Sequence, residues 1–436
     1  PFIGSASVAV DSVGQPDRDW WRLYQDPVLD GLVADALAAN KDIAIATANL
    51  ARARAALREV RSDRLPQTSI DTTGGYQRLS QDQTIPGSSR QGSTLDAGFS
   101  VSYEVDLFGR VSRGIEAARG DAAAADAARD TVRVAVAAET ARAYADLGSL
   151  AEQISVAQRI VTLVDQSVRL TGARFAAGRA TRLDTSRAAT LRDQVRATGP
   201  PLEAEREAAL FSLATLTGRT PRDLPPEISR RATVLHLDRP VPVGDGRTLL
   251  ARRPDVREAE RRLAAETARV GVATAELYPT ISLGGSVGQT GGGFGSLGSS
   301  ALRWFTGGLL SWNFPNQSAA RARIAGARAG SAAALATFDK TVLQALQETE
   351  TALSAFSREM ERRDALVSAR AEASTAARIV RAQLREGRVD SLSLIDAERN
   401  LADTEAALAA SDARVVTTQV DLFRALGGGW QAPTPS

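Results

Sequence analysis

Between Leu95 and Leu107 the chain alternates, without an error, between apolar residues and small or polar ones. Leu95, Ala97, Phe99, Val101, Tyr103, Val105 and Leu107 fall on one side; Asp96, Gly98, Ser100, Ser102, Glu104 and Asp106 fall on the other. A period of two is a β-strand with one oily and one wet face. At about 3.3 Å per residue it runs about 40 Å, well beyond an ordinary globular strand. It also exceeds the roughly nine to eleven residues that a tilted strand needs to cross a bilayer. Directly afterwards Gly109 to Ala177 is rich in Ala, heptad-like and free of proline. That predicts a helix of about 60 residues, about 90 Å long, which must pair lengthwise with other helices as a coiled coil does.

The rest of the chain supplies the partners. Residues 1–18 are small, polar and weakly patterned, and residues 1–27 read as an extended N-terminal arm, in which AspTrpTrp at 19–21 through AspPro at 26–27 leads into a helix from Val28 to about Arg64. Leu65 and Pro66 end it, since proline cannot continue a helix. From Pro66 to Phe108 the period is two, interrupted by the polar stretch LSQDQTIPGSSRQGST at 79–94, which makes a hairpin with a long tip. The long helix breaks at Ala177, Gly178 and Arg179; a return helix starts near Thr181, is interrupted at Gly199, Pro200 and Pro201, and stops at Gly218. Residues 219–253, rich in Pro and Arg, form a linker, and Pro254 opens the next helix at the favoured first position.

The order then recurs. Pro279 ends a helix as Pro66 did, an alternating hairpin covers 279–314, a long helix follows, it breaks at Glu386 and Gly387, and a return helix runs to Leu426 before a tail at 428–436. In the last strand Phe305 and Leu309 blur the polar side. Pro66 to Pro279 is 213 positions, Phe108 to Phe314 is 206, and Gly178 to Gly387 is 209. Three landmarks so nearly equidistant define an internal duplication, residues 28–218 and 254–427.

Each half supplies two long strands. A sheet crosses a membrane only when closed, because hydrocarbon cannot satisfy the polar groups of an open edge. Four strands cannot close, so the chain must oligomerise, as a dimer of eight strands or a trimer of twelve. Tyr76, Tyr103, Trp304 and Trp312 sit on the apolar sides near strand ends, where interfacial aromatics sit, and Asp71, Asp96, Glu104 and Asp106 face a wet lumen. The fold class expected is thus an α+β membrane protein, with four membrane-spanning strands per protomer in a shared barrel continued by long coiled-coil helices.

Composition removes other classes. There is no cysteine, one histidine and one methionine among 436 residues, which excludes thiol chemistry and Cys/His metal cages and leaves His236 as the only imidazole. A net charge of +2, with Arg interspersed among Asp and Glu, gives no footprint for nucleic acid. No run of about 18 apolar residues exists to make a transmembrane helix. The chain opens at Pro1 with no charged-then-apolar leader, as expected of a mature or trimmed form. Two strings imitate catalytic motifs. GGSVG at 284–288 satisfies GxSxG, but Ser286 lies inside an alternating strand and not on a strand-to-helix elbow. GFGSLG at 293–298 satisfies GxGxxG with no helix opening after it. With no Walker A lysine either, the chain is expected not to be an enzyme, to hold no cofactor or metal, and to depend on a partner for energy.

The stretches DWWRLYQDPVLDGLVADALAANKDI, YEVDLFGR, GPPLEAEREAALFSLATLTGRTP, RRPDVREAERRLAAETARVGVATAELYPTISL, LIDAERNLADTEAALAASDARVV and ALGGGW occur in that order over nearly the whole chain. In these the chain resembles TolC/OprM-type outer-membrane efflux proteins, especially the branch working with resistance-nodulation-division pumps. The resemblance implies a homotrimer in outer-membrane lipid, twelve strands forming one barrel and twelve long helices a periplasmic tunnel. It implies a periplasmic adaptor and an inner-membrane pump as partners, makes 219–253 the equatorial linker, and leaves open an N-terminal lipidated cysteine, which this sequence does not contain. It also implies a periplasmic gate near the turns at Gly178 and Gly387. Asp184 and Asp396 sit at positions similar to acids of that constriction; Ser393 replaces an acid of some relatives, with Asp390 nearby and Arg385 and Arg388 as its pairing partners. The function implied is a passive exit duct for drugs or other small solutes. A duct for secreted proteins shares that fold, and a pore-free coiled-coil scaffold is the reading outside transport.

Overall fold

The computed structural model describes residues 10–11, 19–83, 89–231, 234–237, 241–243, 246–292 and 302–429. In chain order the elements are β1 (Val10–Asp11), α1 (Pro27–Ala39), α2 (Lys41–Ser62), β2 (Gln67–Arg78), β3 (Gln91–Val105), α3 (Arg110–Ala176), α4 (Arg182–Arg196) and α5 (Gly199–Leu216). They continue with α6 (Pro226–Ser229), β4 (Val241–Pro242), α7 (Gly246–Arg252), α8 (Pro254–Ala275), β5 (Thr280–Gly291), β6 (Leu302–Ser311), α9 (Ser318–Arg385) and α10 (Ser391–Ala425). The GxGxxG string at 293–298 lies outside the described residues.

The chain divides into two compact units. The first comprises Pro1–Thr47, Ala127–Arg257 and Lys340–Ser436. Its core gathers Leu29 and Val33 of α1, Tyr144 and Leu147 of α3, Leu213 of α5, Leu353 of α9 and Phe423 of α10, all essentially excluded from solvent. Trp20 belongs to this core, its ring stacked on Phe423 at a centroid distance of 4.6 Å. The expected extended arm is therefore helical at Trp20–Tyr24, a short 3-10 turn that buries Trp20, Trp21 and Tyr24. Aromatic area of this size outweighs the weak local pattern that made the arm look structureless.

The expected helix from Val28 to about Arg64 is two helices, and one buried residue makes the break. Asn40 is extended, at φ −61° and ψ 136°. Its Oδ1 accepts from the amides of Asp42 (2.9 Å) and Ile43 (3.2 Å), capping α2, while its Nδ2 donates to the Leu216 carbonyl (3.1 Å). An asparagine side chain that offers the backbone such partners competes with helix continuation. Asp26 caps α1 in the same way, accepting from Val28 and Leu29 ahead of Pro27. Its carboxylate also pairs with Arg231 (2.6 Å) and accepts from the Tyr144 hydroxyl (3.1 Å), tying the start of the Pro- and Arg-rich stretch to α1 and α3. That stretch contains α6, α7 and a two-residue parallel pairing of β4 with β1, so it is built, not merely connecting.

The second unit comprises Ala48–Asp126 and Glu258–Asp339. It holds an antiparallel sheet in the order β2-β3-β5-β6. Its strands count 12, 15, 12 and 10 residues, each enough for a tilted membrane-spanning strand. No helix among the described residues is long and apolar enough to cross a membrane.

Candidate functional site

Two places carry the candidate residues: the faces of the sheet, and the paired turns where the long helices reverse. In the sheet, register aligns Ile70, Phe99, Val287 and Trp304 across all four strands, and Tyr103 with Leu283 beside them. Ile70 is 79% and Trp304 72% exposed, so the described residues leave the two ends of this apolar row largely uncovered. Patches of this kind mark contact with lipid or protein. Tyr76 and Trp304 stand near the loop ends of β2 and β6, and Tyr103 near the helix end of β3. Trp312 lies one residue past β6, its indole N–H donating to the Leu277 carbonyl (3.0 Å) and its ring stacked on Phe314.

The opposite face is wet. Asp71, Gly98, Gly288 and Arg303 align across it. Asp96 accepts from Arg303 (2.5 Å) and Thr290 (2.6 Å), and Arg303 Nε also donates to Thr290 (3.1 Å). Asp71 accepts from Ser69 Oγ (2.7 Å). Glu104 accepts from Arg110 Nε (2.8 Å) and Nη2 (2.5 Å). Asp106 does not share this row: β3 ends at Val105, and the Asp106 carboxylate accepts from the amides of Val111 (3.0 Å) and Ser112 (2.8 Å), capping the start of α3. Ser286 of the GxSxG string sits inside β5 opposite Ser100 and Phe305, far from any elbow geometry. The two outer strands, β2 and β6, each have one unpaired edge.

At the reversals, Gly178 and Gly387 adopt φ of +70° and +74°. Gly178 donates to Phe175 (3.0 Å) and Arg179 to Arg174 (2.7 Å); Gly387 donates to Leu384 (3.1 Å) and Arg388 to Gln383 (2.9 Å). This pair of bonds closes a helix with a left-handed residue, a conformation glycine adopts without penalty. In each case an acid takes part in capping the following helix. Thr181 and Asp184 form a reciprocal capping box on α4. Asp390 caps α10, accepting from Ser393 N (2.9 Å) and Ser393 Oγ (2.6 Å).

Both carboxyls lie below their usual range. The first cause is hydrogen bonding, from the Thr181 amide to Asp184 and from the Ser393 hydroxyl to Asp390, and the charge of Arg187 acts on both in the same direction. The charge of Asp390 opposes the shift at Asp184, so the two caps feel each other. Arg174 Nη1 donates to the Leu384 carbonyl (2.9 Å), joining the two reversals directly.

The pairing expected of Arg385 and Arg388 is arranged differently. Arg388 pairs with Glu386 (2.9 Å), Arg385 is exposed at the end of α9, and the cation whose field reaches Asp390 is Arg187. Asp396 is exposed on α10. Sequence reasoning missed Arg187 and Arg174, because each acts on a turn far away in the chain and no local spacing marks that.

The family model described as outer membrane efflux protein matches residues 32–219 and 246–428. The chain is 30% identical to the probable efflux pump outer membrane protein TtgC of Pseudomonas putida, over 97% of this chain and 87% of that protein. It is 31% identical to outer membrane protein OprJ of Pseudomonas aeruginosa, over 94% and 86% of the two chains. Among solved structures, the outer-membrane channel OprN superposes with a TM-score of 0.93 at 35% identity, covering 99% of this chain and 97% of its own.

Proposed function

The chain belongs to the outer membrane efflux protein family, and from that premise we propose that it is the exit duct of a tripartite efflux pump, conducting drugs or other small solutes passively. Its place is the outer membrane, with helical segments in the periplasm. The observation that carries the proposal is the four-stranded sheet, apolar on one face, polar on the other and open at β2 and β6. An open edge is not tolerated in hydrocarbon. Three copies joined edge to edge give a closed barrel of twelve strands, an even number within the range of such barrels.

The twofold recurrence of helix, hairpin, long helix and return helix along the chain supports an internal duplication, residues 28–218 and 254–427 with 219–253 between them. In the trimer each cap at Asp184 and Asp390, and each exposed Asp396, becomes a ring of three like charges, which attracts cations and resists closing unless paired. With Arg385 and Arg388 these carboxylates form the periplasmic gate. Export draws its energy from an inner-membrane pump reached through a periplasmic adaptor. The likeness to TtgC, named as a probable efflux pump component, favours efflux over a secretion duct.

The test is assembly and conduction. Detergent-extracted protein should run at three times the protomer mass, shift on heating, and give discrete conductance steps in a planar bilayer. A monomer that is soluble without detergent and inert in bilayers would sink the proposal.

A further inference from the structure

The wet face of the sheet is not uniformly wet. Along β6 its positions are Arg303, Phe305, Gly307, Leu309 and Ser311, opposite Gly288, Ser286, Gly284, Ser282 and Thr280 of β5. Phe305 and Leu309 are the large apolar side chains among small and charged neighbours, and in the lone protomer they are 48% and 52% exposed. Each lies over a glycine. A Cβ placed on Gly307 would meet the Phe305 ring at 2.9 Å, and one on Gly284 would meet Leu309 Cδ1 at 3.2 Å. The glycines give these side chains a floor to lie on, so they run along the wall instead of standing out from it.

A large apolar side chain exposed on a polar wall gains free energy when an apolar surface covers it. Resting on the reading of this face as the duct's lumen, we infer that Phe305 and Leu309 form an apolar track that holds the apolar parts of passing solutes. They are specificity-determining residues of the barrel, and the class they favour is amphipathic molecules with aromatic or aliphatic surface. In a trimer the track is threefold. Because the side chains lie flat, it offers this contact without narrowing the bore.

The test uses full-length trimer in a planar bilayer, with tetraphenylphosphonium and tetramethylammonium as probes of equal charge and different apolar surface. If passing tetraphenylphosphonium covers roughly 50 Å² more of the track than tetramethylammonium does, the ratio of their dwell times should fall about five- to tenfold in Phe305→Ser/Leu309→Ser. A ratio that stays within about twofold of the parent's overturns the inference. A second variant tests the geometry. Gly307→Val should push the Phe305 ring into the bore and lower potassium chloride conductance, and adding Phe305→Ser should restore it. An equal loss in both overturns the flat-ring arrangement. Failure of the parent protein to form any pore would instead overturn the duct reading itself.

Discussion

Three glycines make a controlled comparison of what a left-handed residue costs. Gly178, Gly218 and Gly387 have φ of +70°, +67° and +74°. All three end a helix with the same bond pair, the residue after each glycine donating back over five positions: Arg179 to Arg174, Arg219 to Ala214, and Arg388 to Gln383. Alanine in this conformation costs about 1–2 kcal/mol, and it returns about 0.4–1 kcal/mol by restricting the unfolded chain. At Gly178 and Gly387 nothing lies within 4 Å of an added Cβ, so Gly178→Ala and Gly387→Ala should each cost about 1 kcal/mol. At Gly218 the added Cβ meets the Ala39 carbonyl oxygen at 2.9 Å, a backbone atom that cannot rotate aside. Overpacking of that kind adds about 1–3 kcal/mol.

Amide hydrogen exchange of Arg179, Arg219 and Arg388 in detergent-solubilised protein reads the local opening. It should speed up about fivefold at Arg179 and Arg388 and about thirtyfold or more at Arg219. Asparagine, which tolerates φ > 0, should be milder than alanine at 178 and 387 but no better at 218. Equal effects at all three sites, or the mildest at 218, would refute the reasoning.

Because hydrogen bonds hold the Asp184 and Asp390 carboxyls low, their contribution to the starts of α4 and α10 is complete above about pH 4 and is lost as pH falls through the lowered values. Exchange of the Asp184 and Ser393 amides, corrected for intrinsic rate, should rise over that acid range and show no such rise in Asp184→Asn or Asp390→Asn at the respective site. Asn40→Ala removes a cap and the donor to Leu216 and should cost about 2–3 kcal/mol, whereas Asn40→Ser keeps the cap and should recover about 1 kcal/mol, read as exchange at Asp42 and Ile43. Burial raises the Asp146 carboxyl, Arg142 opposes that, and Asp421 and Glu205 add to it. Its ionised form therefore weakens the fold as pH rises, and Asp146→Asn should raise the melting temperature at pH 7 with the gain shrinking towards pH 4. Asp396→Ala should change single-channel conductance and cation block; no change in either would remove Asp396 from the proposed gate.

The strands were legible because side-chain alternation is a property of adjacent residues: β3 was expected over Leu95–Leu107 and spans Gln91–Val105. The reversals at Gly178 and Gly387 were legible for a similar reason, glycine being the local answer to a left-handed turn. Asn40 was not, since one polar residue at helical spacing looks like a solvent-facing position until Leu216 is known to sit beside it. Trp20 was missed likewise, because its partner Phe423 lies at the other end of the chain. At the paired turns the acids could be listed from sequence. That Asp184 and Asp390 are helix caps under one shared cation, Arg187, depends on two turns meeting in space.

The unpaired margins of β2 and β6 carry a genetic consequence. In the proposed ring of three copies, which needs three sound joints, a copy whose margin is spoiled, by a proline in the middle of β2 for example, poisons each assembly it enters. Co-expressed in equal amount with the parent, such an allele would leave about one ring in eight wholly parental, so it should behave as dominant in a cell that still makes ample normal protein.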